Sequence, residues 1–159
     1  MPTEIERKFL VKSEAWREGP PGVEIRQGYL ARNEERSVRV RVAGDKAFIT
    51  VKGRGRGISR AEFEYPVPLE DAREMLGLCL PSLIEKTRYE RDHGGHTWEV
   101  DEFHGDNAGL IVAEIELDAE EREFEKPEWV GEEVTHDSRY LNACLAERPW
   151  RDWGKAGAA

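Results

Sequence analysis

What this chain lacks narrows the field first. It has only two cysteines, Cys79 and Cys144, in apolar contexts with no CxxC spacing. That argues against a disulfide framework and for reduced, buried thiols in a cytoplasmic protein. Its four histidines, His93, His96, His104 and His136, show no zinc-ligand spacing and read as turn or surface residues. No stretch is apolar enough to span a membrane, and a charged strand begins at once, so neither a membrane segment nor a secretory leader is expected. Positive charge is in short supply: 24 Lys and Arg against 33 Asp and Glu leave a net charge of -9. Bulk electrostatics therefore exclude nucleic acid as a partner, although cations gathered in one place can still hold a small anion. Internal repeats and low-complexity arrays are absent as well.

What remains is 159 residues, 38% hydrophobic and 36% charged. That length suits one domain, residues 1–159, with a substantial core. The apolar residues are periodic, which excludes disorder. Eight segments read as strands, over residues 3–11, 24–32, 36–43, 46–52, 58–67, 83–92, 96–103 and 109–117. Gly44-Asp45 and Gly94-Gly95 are expected as tight hairpin turns. A short helix is expected near 12–17 and another over 69–78, where Leu69, Ala72, Met75, Leu76 and Cys79 recur at helical spacing before Pro81. Glu-rich residues 118–133 read as a solvated connector. Residues 137–147 read as a helix with Tyr140, Leu141, Cys144 and Leu145 on one side, capped by Asp137 or Ser138, within a C-terminal helical segment of about 127–153. The small-residue end beyond Trp153 is expected to fray. The five tryptophans are read as core or wall residues. The basic run Gly53-Arg54-Gly55-Arg56-Gly57 reads as a solvated loop or as a flap over a phosphate.

Sorting the strands by parity exposes a pattern. Glu4/Glu6, Arg39/Arg41, Glu62/Glu64, Lys86/Arg88, Glu99/Asp101 and Glu114/Glu116 are same-sign pairs at i, i+2, so each pair shares one face of its strand. Lys8 extends the first couplet and Lys52 ends the fourth strand. The opposite parity is apolar: Ile5, Phe9 and Val11; Val38, Val40 and Val42; Ile49 and Val51; Phe63 and Tyr65; Trp98 and Val100; Ile115 and Leu117. Parity alone favours a sheet packed on helices with its charges in water. A closed barrel with the charges inside is the second architecture, and eight strands suffice to close one. Charge order supports the barrel. A solvated face would mix signs along and across strands, whereas here the signs are segregated. Segregated carboxylates suit hard divalent cations, and segregated Lys and Arg suit phosphate oxygens, the combination that phosphoryl chemistry requires. Eight couplet carboxylates against the six cations Lys8, Arg39, Arg41, Lys52, Lys86 and Arg88 leave a lining of -2. Such a lining should repel a polyanion until metal binds.

These residues resemble the CYTH superfamily, the triphosphate tunnel metalloenzymes. The likeness rests on E-x-E-x-K at Glu4, Glu6 and Lys8, then Gln27-Gly28-Tyr29-Leu30, R-x-R at Arg39 and Arg41, and T-x-K at Thr50 and Lys52. It continues through E-x-E at Glu62 and Glu64, K-x-R at Lys86 and Arg88, Asp101, and E-x-E at Glu114 and Glu116, in family order over residues 2–118. The resemblance implies a mainly β (α+β) fold: an eight-stranded antiparallel closed β-barrel, or tunnel, with a charged interior and peripheral helices. Glu4, Glu6, Glu62, Glu64, Asp101, Glu114 and Glu116 would hold one or two Mg²⁺ or Mn²⁺ ions. Lys8, Arg39, Arg41, Lys52, Lys86 and Arg88 would clamp phosphates, the late helix would plug one end, and Tyr29 either packs as a barrel-wall tyrosine or forms a proton-transfer pair with Lys8. The implied activity is metal-dependent hydrolysis of inorganic triphosphate to diphosphate and phosphate, as in the short bacterial tripolyphosphatases. The alternatives are a class IV adenylate cyclase, a thiamine or nucleoside triphosphatase, and a non-catalytic polyphosphate-binding module. The expected partner is a small triphosphate, with no nucleic acid or membrane, and a homodimer is compatible with the pattern.

Overall fold

In the computed structural model, which describes residues 3–55 and 58–153, the charged parity faces inward and the sheet closes on itself. The strands are β1 (Thr3–Val11), β2 (Val23–Arg32), β3 (Arg36–Ala43), β4 (Lys46–Gly53), β5 (Ser59–Pro66), β6 (Ile84–His93), β7 (His96–Phe103), β8 (Ile111–Glu116) and β9 (Val130–Glu133). Their order is β5-β4-β3-β2-β6-β7-β8-β1, and β1 pairs back onto β5 through Thr3↔Ala61, Glu4↔Arg60 and Ile5↔Ser59. Closure leaves the eight barrel strands with neighbours on both sides, which removes the open edges of a flat sheet. The seam is short. Past Ile5, β1 leaves β5, and at Phe9↔Glu133 and Val11↔Val130 it pairs with β9 instead.

The expected strands agree with the observed ones within about two residues, and the hairpins follow their glycines. Gly44 (φ 60°) and the pair Gly94 and Gly95 (φ 60° and 82°) adopt the left-handed conformation that tight turns require and that side chains disfavour. Gly28 serves closeness rather than turning: a Cβ there would lie 2.6 Å from Leu83 Cδ2, so its absence lets the segment after α1 lie against β2.

Three apolar clusters explain why the barrel stands. Outside β1, β7 and β8, Phe9, Trp98, Val100, Ile115 and Leu117 pack with Trp16 and Trp129. Outside β3 and β4, Val40 and Ala47 pack under Ala72 and Leu76 of α1 (Leu69–Leu76). The third cluster lies at one end of the barrel. There the inward parity turns from charged to apolar, as Ile84, Phe103 and Val112 meet Tyr140, Leu145 and Ala146 from the C-terminal segment. The tunnel is thus a cup, closed at that end by α2 (Asn142–Glu147) and the 3-10 turn before it.

Several expectations are corrected. The helix near 12–17 is one 3-10 turn, Ala15–Arg17, that buries Trp16. The helix over 137–147 is broken. Asp137 accepts from the Arg139 amide to cap a 3-10 turn, Leu141 is extended (ψ 136°), and α2 starts anew at Asn142. Residues 118–133 are not simply a solvated connector. Trp129 and Val130 are buried, β9 forms, and Trp129 stacks edge-on against Trp98 at 6.0 Å. The outward apolar parity is only partly under helices. α1 covers Val40 and Ala47, but Val51 of β4 and Tyr65 of β5 stay exposed. Arg56 and Gly57 of the basic loop, and the tail beyond Trp153, lie outside the described residues.

Candidate active site

Alternation along each strand delivers the couplets to one cavity of about 250 Å³. Glu4, Glu6 and Lys8 of β1, Tyr29 of β2, Arg39 and Arg41 of β3, Lys52 of β4, Glu62 and Glu64 of β5, Lys86 and Arg88 of β6, and Glu114 and Glu116 of β8 all line it. The signs are sorted in space as well as in sequence. β3 and β6, which flank β2, carry Arg39, Arg41, Lys86 and Arg88, whereas β8, β1 and β5 carry the carboxylates.

The one expected site residue missing from that lining is Asp101. It is fully buried behind the cations, with Oδ1 and Oδ2 each 2.8 Å from Arg88 and Oδ2 also 2.8 Å from Lys86 Nζ. Burial alone would favour its neutral form, but Arg88 and Lys86 hold its carboxyl far below the usual range. Both its oxygens are thus committed, and Glu99 is the β7 carboxylate that reaches the cavity. Glu99 was visible as Asp101's couplet partner, yet it did not enter the expected ligand set. Four further lining or supporting residues were missed: Ser37, Arg60, Gln27 and Asn142. No parity rule reveals Asn142, because it arrives from α2.

The carboxylate side is electrostatically incomplete. Glu6 stands directly opposite Glu116 across β1–β8, and Glu99 stands opposite Glu114 across β7–β8. Like charges at such cross-strand positions repel. Burial, and then the Glu114 charge, push the Glu6 carboxyl up to about 7 against the pull of Lys8. Burial and the Glu4 charge likewise raise Glu116. Glu114 responds the other way. Despite burial, Lys8, Arg88 and Lys86 hold it down to about 2. Lys8 Nζ lies 3.5 Å from Glu114 and 3.9 Å from Glu6, and Lys52 Nζ lies 2.9 Å from Glu4 and 3.5 Å from Glu62.

This donor set fits a hard divalent ion. Oxygen ligands converge from β1, β5 and β8, and at Glu6 and Glu116 burial and neighbouring carboxylates outweigh the nearby lysines. No ready-made cage of three or more ligating side chains is present among the described residues, and Lys8 and Lys52 lie against Glu114 and Glu4. Tyr29 is nearly buried and lines the same cavity as Lys8. Among the described residues the Lys8 ammonium donates to the Tyr140 carbonyl at 3.4 Å, and no hydrogen bond joins it to Tyr29.

The cavity has a second face. An adjoining, more apolar space shares Arg41, Glu64 and Arg88 and opens past Ile25, Phe48 and Pro20. A closed antiparallel barrel, blocked at one end, with cations on one wall and carboxylates on the other, defines a protein built to take a compact polyanion into its interior. The chain belongs to the CYTH family, whose domain model matches residues 2–148. It is 50% identical to an inorganic triphosphatase of Acetivibrio thermocellus, over 96% of this chain and 99% of that one. It is 38% identical to an inorganic triphosphatase of Nitrosomonas europaea, over 91% of this chain and 97% of the relative. The crystal structure of the inorganic triphosphatase NE1496 superposes with a TM-score of 0.66 at 35% identity, covering 92% of this chain and 95% of that one.

Proposed function

We propose that this chain hydrolyses inorganic triphosphate to diphosphate and phosphate in a reaction that depends on Mg²⁺ or Mn²⁺. The observation that carries the reading is the single cavity in which carboxylates and cations face each other from opposite walls. The two relatives named inorganic triphosphatases, each matched over nearly its whole length, support it.

Glu6 and Glu116, with Glu4 and Glu114, are the ligands we assign to metal, and Glu62 and Glu64 assist from β5. Asp101 is assigned instead as the buried counter-ion of Lys86 and Arg88. A bound divalent ion would neutralise phosphate oxygens and acidify the attacking water. The chain's own residues do the rest. Arg39, Arg41, Lys86 and Arg88 orient the phosphates for in-line attack and offset the charge that develops on their oxygens. Lys8 and Lys52 hold Glu114 and Glu4 in the free protein, and they would be released for phosphate if those carboxylates held a divalent ion. Metal and triphosphate would then bind interdependently. Tyr29, beside Lys8, is placed to move a proton at its hydroxyl. Free thiols at Cys79 and Cys144 fit a reducing compartment, and we place the protein in the cytoplasm. Among the described residues no helix is long and apolar enough to cross a membrane.

The test is phosphate release from triphosphate, ATP and thiamine triphosphate, each with Mg²⁺, Mn²⁺ or excess chelator. Triphosphate with metal should be cleaved fastest, and chelator should abolish release. Absence of phosphate release from triphosphate under every condition refutes the proposal.

A further inference from the structure

The phosphate-binding wall poses a problem of its own. Arg39, Arg41, Lys86 and Arg88 project from strands that flank β2, and Asp101 is the one carboxylate bonded between two of them. Arg88 also meets Glu99 at 3.4 Å and Glu114 at 3.9 Å, whereas among the described residues Arg39 and Arg41 have no carboxylate within ion-pair distance, so the positive charge of this wall is not fully offset and its side chains repel. Partnering each with a carboxylate would hold them still, but it would also cancel the charge that phosphate must meet.

The structure solves this with amides. Arg41 Nε donates to Gln27 Oε1 at 2.7 Å, Gln27 Nε2 donates to Asn142 Oδ1 at 3.2 Å, and Lys86 Nζ donates to the same Asn142 oxygen at 2.9 Å. The two cations thus sit at the ends of one neutral relay. Its sense is fixed by chemistry. Arg and Lys offer only donors, so each must face an amide oxygen, and the remaining Gln27 NH₂ then points to the Asn142 oxygen. Reversing either amide would set NH₂ against a cation. Gln27 is wholly buried, so it cannot exchange these bonds for water. Asn142 is the member from outside the barrel: the Leu141 break delivers it to the cavity, and α2 is tied there to the cation wall.

We propose that Gln27 and Asn142 are positioning residues for the phosphate clamp, fixing Arg41 and Lys86 in place with neutral amides that add no negative charge to the wall the substrate meets. This inference rests on the triphosphate reading. Phosphate release by the unaltered protein tests that reading, and the variants below test only the relay.

The decisive variants are Gln27→Glu and Asn142→Asp. Each keeps shape and acceptor but adds one negative charge, on the barrel wall and on α2 respectively. KM for triphosphate, and its Kd measured by calorimetry with Mg²⁺ present, should each rise about tenfold or more, roughly one charge-assisted contact, while kcat changes less. Gln27→Met and Asn142→Ala remove the bonds without adding charge and should give smaller rises in KM. Melting temperature is recorded for all four. Should Gln27→Glu fail to fold, Asn142→Asp, which leaves the barrel strands unaltered, decides alone. A purely structural role would lower melting temperature and leave KM and Kd within about twofold of the unaltered protein in the folded variants. That result overturns the proposal.

Discussion

Replacing Asp101 by Asn is the perturbation that separates two roles for one carboxylate. The sequence resemblance makes Asp101 a metal ligand, whereas its geometry makes it a counter-ion. Its side chain is wholly buried, and it bonds Arg88 twice and Lys86 once, all at 2.8 Å. Asn keeps the volume but removes the charge and offers one acceptor oxygen instead of two. Lys86, also buried, and Arg88 would then face each other with no anion between them. Burial already pushes the Lys86 ammonium down to about 7, with Arg88 and Arg41 adding to the effect against Asp101. Breaking a buried pair on one side costs about 3–5 kcal/mol. For a domain of this size that lowers the melting temperature by roughly 6–20 °C. The assay is thermal unfolding of both proteins in excess chelator, where metal ligation contributes nothing. A drop of that order supports the counter-ion role. An Asp101→Asn protein that melts within about 2 °C of the unaltered one, and differs only in metal affinity, refutes the reasoning.

Other outcomes follow from the same geometry. Calorimetry in chelator should show triphosphate binding at least about tenfold weaker than with Mg²⁺, because the carboxylates keep Lys8 and Lys52 occupied; equal affinity would exclude interdependent binding. Tyr29→Phe should lower kcat and reshape its pH profile if the hydroxyl moves a proton, and an unchanged profile makes Tyr29 a wall residue. Trp129→Ala should cost about 3–5 kcal/mol by urea unfolding, since the ring is buried against Trp98, whereas a solvated connector would lose almost nothing. Hydrogen bonds from Arg7, at 2.8 and 2.6 Å, hold the Glu133 carboxyl below its usual range. Its share of stability, about 0.5–1 kcal/mol for a partly exposed pair, is therefore complete above about pH 4.3 and lost as the pH falls through its lower folded value. Glu133→Gln should remove that acid-side slope in urea midpoints measured from pH 6 to pH 3, and an unchanged slope would assign it to other groups.

The elements that read most clearly were those whose periodicity is local. β3 and β4, with Arg39/Arg41 and Lys52 alternating against Val38, Val40, Val42, Ile49 and Val51, declare both strand and face within eight residues each. The hairpin glycines declare the turns. By contrast, β9 is four residues with no alternation of their own, and it exists because Trp129 and Val130 reach a core built by distant strands. The continuous helix expected over 137–147 was locally consistent. Leu141 breaks it so that Asn142 meets Lys86 and Gln27 while Leu145 fills the barrel's end.

The sequence by itself therefore determined the barrel strands, the sign of the charge that each contributes, and which face carries it, because side-chain alternation is a property of each strand alone. Tertiary structure decided which carboxylates remain available and which are consumed. Glu6 faces Glu116 with its proton affinity raised, whereas Asp101, in an equally acidic couplet, is locked behind Lys86 and Arg88. It also decided that one end of the barrel is closed and that two neutral amides hold the cations there. Those outcomes depend on distances between strands far apart in the chain, and only closure of the barrel sets such distances.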